Sequence, residues 1–380
     1  MKVVCVAVMM VFIAAFLGPQ RDAEAQQAKR APRIGLLEWN QCPGPDSVFG
    51  AALGNLGYKW DQTIQVVCRS AEGDHRRLSD AALALASQNL DVIAALTHIT
   101  AYAPHRAMRS IPIVMIASGD PIKTGLVTSL SRPGGNVTGL TYYAAELVEK
   151  RLQLLKEMAP GVTRVAVLGN PESDHVFGIY RQDAERAARI LGLQLLRVDA
   201  SHPRELKQGF EAVVRDGAQG LLVLTDPMLR DQARSIAELA ARHRLPAMYW
   251  GPWFVEAGGL AAYSADYESM VRRAAYYVDR ILKGARPADL PVEQPTKFEL
   301  LLNLKIARAL GLTIPPSLLA RAGRQGHRMN SACRACPSGK VPEDMSPIHT
   351  SQVRFPQQES IDPRWMLEYR TPSSAGRRTQ

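Results

Sequence analysis

The sequence predicts an α/β fold of two lobes, each built around a parallel sheet. Three observations carry this expectation. Short apolar, β-branched runs alternate with amphipathic helical stretches over most of the chain, the pattern of repeated β-α units with helices on both sheet faces. One stretch, Ile111 to Leu140 (IPIVMIASGDPIKTGLVTSLSRPGGNVTGL), interrupts the alternation. After it the same alternation starts again. Within that stretch, the run over 111–117 is long enough for a buried parallel strand and too short for a core helix. Ser118-Gly119-Asp120-Pro121 then breaks the run, at the kind of strand end where α/β sheets bind ligands. Pro133-Gly134-Gly135-Asn136 is a turn signal, and 137–142 reads as extended again. The stretch therefore closes one lobe, lines a cleft and leads into a second lobe.

In the first lobe the expected order is strand 33–37, helix 46–56, strand 63–68, helix 74–88, strand 91–95, helix 100–109 and strand 111–117. Leu78, Ala82, Leu85 and Ala86 recur at helical spacing behind Asp74 as N-cap. Gly57 stops the helix before it. The second lobe reads helix 144–158, ended by Pro160-Gly161, then strand 164–168, helix 174–191, strand 193–198 and helix 203–216. Strand 220–224, helix 227–243, strands 246–249 and 259–263 and helix 266–282 follow. Residues 283–287 form a linker, and 290–312 supply a last strand or extended pass and a helix ending at Gly311. From residue 323 to 380 periodicity disappears and Pro, Ser, Arg and Gln dominate, the composition of a disordered tail.

A chain of 380 residues accommodates two domains of ordinary size with a sizeable core. The formal charge of +10 raises the question of nucleic acid. The basic residues are scattered, often at i, i+3 or i+4, as on solvated helix faces. No helix-turn-helix or RNA-binding motif accompanies them, so no nucleic-acid partner is expected. At the start, Lys2 is followed by an apolar run over 3–17, too short to span a bilayer comfortably. Gly18-Pro19 ends the run, and Ala23-Glu24-Ala25 is a small-x-small cleavage site. Residues 1–25 thus read as a secretory signal peptide, which implies a periplasmic protein. No later stretch reads as a transmembrane segment.

Four cysteines follow the signal peptide: Cys42, Cys68, Cys333 and Cys336. Export permits disulfides. If the first two strands are adjacent and parallel, Cys42 and Cys68 lie near one sheet edge, open either to a disulfide or to burial as two small hydrophobes. Cys333-Arg334-Ala335-Cys336 is a single CxxC without a second spaced pair, which is not a zinc signature. No metal and no cofactor are expected.

Several segments resemble one known family. Asp120-Pro121 with Thr124-Gly125-Leu126-Val127, then Ser131-Arg132-Pro133-Gly134-Gly135-Asn136-Val137-Thr138-Gly139, is one of them. Ala188 to Gly192 is another. The most specific runs from Leu290-Pro291-Val292-Glu293-Gln294-Pro295-Thr296-Lys297-Phe298-Glu299 through Asn303-Leu304-Lys305 and Ala309-Leu310-Gly311-Leu312 to Ile314-Pro315-Pro316-Ser317-Leu318-Leu319. These are similar to the exported solute-binding proteins of ABC transporters of the TrpX type, over roughly residues 33–322. The tail from 323 departs from that family. The resemblance implies a periplasmic-binding-protein type I fold of two Rossmann-like lobes closing on a small molecule. It places lobe 1 at 33–140 with a return segment over about 266–322, and lobe 2 at 141–265. The first crossover is expected near 138–142 and the second near 263–266.

No catalytic constellation stands out: there is no G-x-S-x-G, no H-E-x-x-H and no Walker loop. His75, His105, His175, His202 and His243 are dispersed and read as surface or helix-end histidines, with His98 set apart because it follows a strand. A solute cleft needs polar groups at strand ends and flat apolar walls. In the first lobe Trp39, Asn40, Thr97, His98, Ser118, Gly119, Asp120 and Thr138 stand at such places. In the second, Asn170, Thr225, Asp226, Trp250 and Tyr263 do. Asp120 and Asp226 also suit helix capping. The function expected is that of a monomeric binding protein without chemistry of its own. It captures a small molecule, an amino acid by its TrpX-type relatives, and delivers it to an ABC permease in the inner membrane. A periplasmic sensor subunit for a membrane kinase and an exported α/β enzyme are the alternatives.

Overall fold

The computed structural model describes residues 30–95, 98–118, 120–142 and 144–322. The signal-peptide expectation for 1–25 and the tail from 323, with Cys333 and Cys336, lie outside the described residues. The first sheet is built from β1 (Arg33–Glu38), β2 (Gln65–Ser70), β3 (Val92–Ala95), β4 (Ile113–Ser118) and β5 (Val137–Thr141). Its order is β2-β1-β3-β4-β5 and every pairing is parallel. Helices α1 (Val48–Asn55), α2 (Arg77–Ala86) and α3 (His98–Ala107) connect β1 to β4 in turn, whereas no helix among the described residues lies between β4 and β5. Gly139 is required where β5 meets β4: its φ is +125°, and a Cβ there would stand 2.2 Å from the Met115 carbonyl oxygen.

The chain then passes Tyr142 into α4 (Ala144–Met158) and the second lobe. There follow β6 (Arg164–Gly169), α5 (Asp174–Leu191), β7 (Gln194–Asp199), α6 (Glu205–Arg215) and β8 (Gly220–Val223). The expected helix 227–243 is two helices, α7 (Pro227–Asp231) and α8 (Ala233–Arg242), because Gln232 leaves helical geometry at φ −95°, ψ 16°. Next come β9 (Ala247–Tyr249), α9 (Pro252–Glu256) and β10 (Ala261–Ala265). Helix α9 was not expected from the sequence; Pro252 sits at its first turn behind the Gly251 N-cap, where a missing N–H costs nothing.

After β10 the long α10 (Tyr267–Leu282) returns to lobe 1. Met270, Val271, Ala274 and Val278 pack with Ile34, Leu36, Val92 and Val114 in one core. The expected return segment over 266–322 needs correction beyond this point. Glu293 still bridges to Leu140 beside β5. Then β11 (Phe298–Leu302) joins the second sheet, whose order is β11-β10-β9-β8-β6-β7. Helices α11 (Leu304–Ala309) and α12 (Pro316–Arg321) stay there, with Ala307 and Leu318 in the core of Leu152, Leu155, Leu222 and Met248. The chain therefore crosses a third time. It enters lobe 2 from the lobe 1 side and runs away from the cleft, whereas β10 runs toward it, so β11 is antiparallel to β10, pairing Phe298 with Ala265.

Cys42 and Cys68 are joined in a disulfide with Cα atoms 6.0 Å apart, which decides between the two readings of that pair. No helix among the described residues is long and apolar enough to cross a membrane.

Candidate functional site

The two lobes meet along the carboxyl ends of their parallel strands, and the side chains there fall into a polar flank and an aromatic flank. The polar flank is centred on Asp226, which follows β8 and is 1% exposed. It caps α7: one oxygen accepts from the Leu229 amide at 2.9 Å, and Pro227 holds the first helical position. Its other oxygen accepts from Asn170 Nδ2 at 3.2 Å and from the Ser173 hydroxyl. Asn170 and Ser173 lie on the turn after β6. From lobe 1, His75 brings Nε2 to 3.2 Å from Asn170 Nδ2 and 3.9 Å from the Asp226 carboxylate. Burial pushes the Asp226 carboxyl up, opposed by the Ser173 and Leu229 bonds. Burial pushes the His75 imidazole down, opposed by the Asp226 charge. A serine, a histidine and an aspartate thus converge, but not in the order of a nucleophile and its base. Ser173 donates to the carboxylate and not to the imidazole, so the group is an anchor of hydrogen bonds rather than an acyl-transfer relay.

The aromatic flank begins at Trp39, which follows β1, is 4% exposed and packs 4.7 Å from the His75 ring. Its indole N–H donates to Asp231 of lobe 2 at 2.9 Å, and Asn40 Nδ2 donates to the same oxygen at 3.2 Å. Trp250 follows β9 and meets Trp253 edge-on at 4.9 Å. The Arg230 guanidinium lies 4.5 Å over Trp253 and 6.0 Å from Tyr267, a cation–π stack that spans the lobes. Beside it, Glu38 at the end of β1 is buried, and its Oε1 accepts from no group among the described residues. Burial pushes its carboxyl up to about 8, with the Arg230 charge pulling the other way.

Between the flanks, the crossovers are tied to each other. The Tyr142 hydroxyl donates to the Trp250 carbonyl at 3.0 Å, and the fully buried Arg151 donates from Nε to the Tyr263 carbonyl at 2.9 Å. At the outer rim, Lys123 Nζ lies 3.8 Å from Asp120 and 3.9 Å from Asp183 of lobe 2. A cavity of about 180 Å³ opens beside the polar flank, lined among others by His75, Arg76, Glu172, His202 and Met228. A groove of about 340 Å³ on the outside of lobe 2, between α5 and β7, is remote from these groups.

Of the expected site residues, Trp39, Asn40, Asn170, Asp226 and Trp250 come together here. Thr225 lies buried beside Asp226 at the end of β8. Asp120 accepts from the amides of Ile122 and Lys123 at 3.1 and 3.0 Å, the turn chemistry that Asp-Pro suggests. Two expectations are corrected. Thr138 is fully buried near the amino end of β5, and its hydroxyl is used up in a bond to the Leu290 carbonyl at 2.7 Å, which pins the return segment. Tyr263 does not end its strand, because β10 continues to Ala265; its ring stacks on Phe298 at 5.9 Å in the hinge. Thr97 and Gly119 lie outside the described residues, as do the side chains of His98 and Ser118. Glu38, His75, Ser173, Arg230, Asp231 and Trp253 were not singled out for the cleft. Only Glu38, a lone acid ending an apolar run, carried a local signal.

The family profile described as ABC transporter substrate binding protein matches residues 47–325. The chain belongs to that family. A curated relative, the "Tyrosine-binding protein" of Clostridioides difficile, is 27% identical over 288 residues, which is 75% of this chain and 82% of the relative. Among solved structures, an ABC domain in complex with L-Trp from Streptococcus pneumoniae is similar at 26% identity and a TM-score of 0.70, covering 77% of this chain and 98% of that one. The ligand-free, open structure of a substrate binding protein with adhesive properties from Clostridium difficile is similar at 27% identity and a TM-score of 0.56, covering 75% and 96%. The two α/β lobes, with sheets that are parallel apart from β11, have the type I periplasmic-binding-protein fold of ABC transporter substrate-binding proteins.

Proposed function

We propose that this protein captures an L-amino acid with an aromatic side chain between its lobes and delivers it to an ABC permease in the inner membrane, after export and cleavage behind Ala25. The observation that carries the reading is the pairing of the two flanks. A ligand ammonium finds the Asp226 carboxylate, and a ligand ring finds the Trp39 and Trp250 faces. Asn40, Asn170 and Thr225, with Thr97, His98, Ser118, Gly119 and Asp120 from the stretches of sequence around the ends of the third and fourth strands, are further members of the proposed site. The relatives named for tyrosine and holding L-Trp support the same ligand class. Asp226, Trp39 and Trp250 are all buried with the lobes in contact, so admission of such a ligand requires the lobes to part and close again. The protein acts as a monomer and performs no chemistry on its cargo. Native mass spectrometry of protein purified without refolding tests the reading: an added mass matching L-Trp, L-Tyr or L-Phe is expected. A bound sugar or a turned-over product would contradict it.

A further inference from the structure

We propose that Asp231 is a latch residue: it holds the lobes shut and positions Trp39 as a wall of the ligand cleft. The proposal rests on the reading above for what fills the cleft, but the latch itself does not depend on which ligand that is. Trp39 and Asp231 are 192 residues apart and belong to different lobes. The indole N–H is a donor only, and the Trp39 side chain is buried, so it requires an acceptor. Asp231 supplies one at 2.9 Å and takes the Asn40 amide on the same oxygen at 3.2 Å. Both of these side-chain bonds cross to the other lobe. Parting the lobes breaks both together.

The local sequence fits this division of labour. Asp231 ends a five-residue helix, and the chain leaves helical geometry at Gln232 directly after it. A carboxylate at a helix carboxyl end opposes the partial negative charge of the free carbonyls, so α7 itself gains nothing from an acid there. The same indole packs on His75 at 4.7 Å, which connects the latch to the Asn170–Asp226 group on the polar flank. Asp231 therefore acts through Trp39, as a positioning residue.

The test uses the full chain labelled with ¹⁵N at its tryptophan indoles, with the Trp39 resonance assigned by its loss in Trp39→Phe. In the wild type the Trp39 N–H is expected to exchange slowly with water; in Asp231→Ala it shifts and exchanges at least tenfold faster, with the melting temperature lowered by no more than a few degrees. Asp231→Asn, which keeps an acceptor oxygen, is expected to fall between. With L-tryptophan as the probe, Asp231→Ala should raise the dissociation rate about tenfold and leave association within about twofold. The double variant with Trp39→Phe should bind no more weakly than the weaker single variant, as for two ends of one interaction. An unchanged Trp39 resonance in Asp231→Ala, or losses that simply add in the double variant, would overturn the latch. Should L-Trp, L-Tyr and L-Phe all fail to bind the wild type, the proposed ligand class falls, and the indole exchange alone decides the latch.

Discussion

The two flanks of the cleft solve the burial of polar groups in opposite ways. On the polar flank each Asp226 oxygen has its donors: Leu229 on one, Asn170 and Ser173 on the other. On the aromatic flank Glu38 Oε1, Trp250 Nε1 and Trp253 Nε1 are buried without hydrogen-bond partners among the described residues. Buried polar groups are nearly always paired, and each orphan costs about 1–3 kcal/mol. The polar flank is thus pre-organised before any ligand arrives, in the manner of a rigid recognition surface. The aromatic flank carries a deficit that a change of partner or of lobe separation can relieve. This difference implies that substitutions on the first flank cost stability and binding together, while some on the second improve stability.

Asp226→Ala should give the largest effect. It removes the α7 cap, worth about 1 kcal/mol, and strands the donors of Asn170 and Ser173 in a buried place. A fall in apo stability of about 2–4 kcal/mol is expected by chemical denaturation, with amino-acid affinity down about ten- to a hundredfold. If affinity falls while apo stability is untouched, the polar flank is not the pre-organised unit described here.

Much of this architecture was readable in the sequence, because it rests on local periodicity. The bounds of α4 and α5 follow directly from apolar spacing and the Gly192 stop, where the backbone turns left-handed at φ +64°. The cap role of Asp226 was readable from Asp-Pro. What could not be read is which lobe an element joins. Phe298–Leu302 is an apolar strand in either sheet, and only its pairing with Ala261–Ala265 assigns it to the second. The same holds for His75 and Asp231. Their partners lie 95 and 192 residues away, beyond any spacing rule, so His75 read as one dispersed histidine among several.

Glu38→Gln should act in the opposite direction to Asp226→Ala. The native carboxyl, facing Arg230 and Tyr267, keeps its proton up to about pH 8, whereas the unfolded chain releases it near the ordinary value of 4.5. Between those pH values the native state holds the extra proton, so stability from this group falls as pH rises. Glu38→Gln removes that slope. Its melting temperature is expected to exceed that of the wild type at pH 8.5 by a few degrees and to match it at pH 4.5. A variant less stable than the wild type at pH 8.5 would mean that Glu38 is ionised and held by Arg230.

The smallest effect is expected at Thr138, which belongs to neither flank. Thr138→Val loses the bond to the Leu290 carbonyl and should cost about 1 kcal/mol of stability without altering ligand affinity. A tenfold loss of affinity would return Thr138 to the cleft.

Titration calorimetry of L-tryptophan into the full-length protein, at several temperatures, bears most directly on the proposed binding between the flanks. The expected result is one site per chain with a negative heat-capacity change, the mark of apolar surface buried as the indole enters between Trp39 and Trp250, and binding weakened about ten- to a hundredfold in Asp226→Asn. No heat from L-tryptophan, L-tyrosine or L-phenylalanine at millimolar concentration, or full binding retained in Asp226→Asn, would contradict the account.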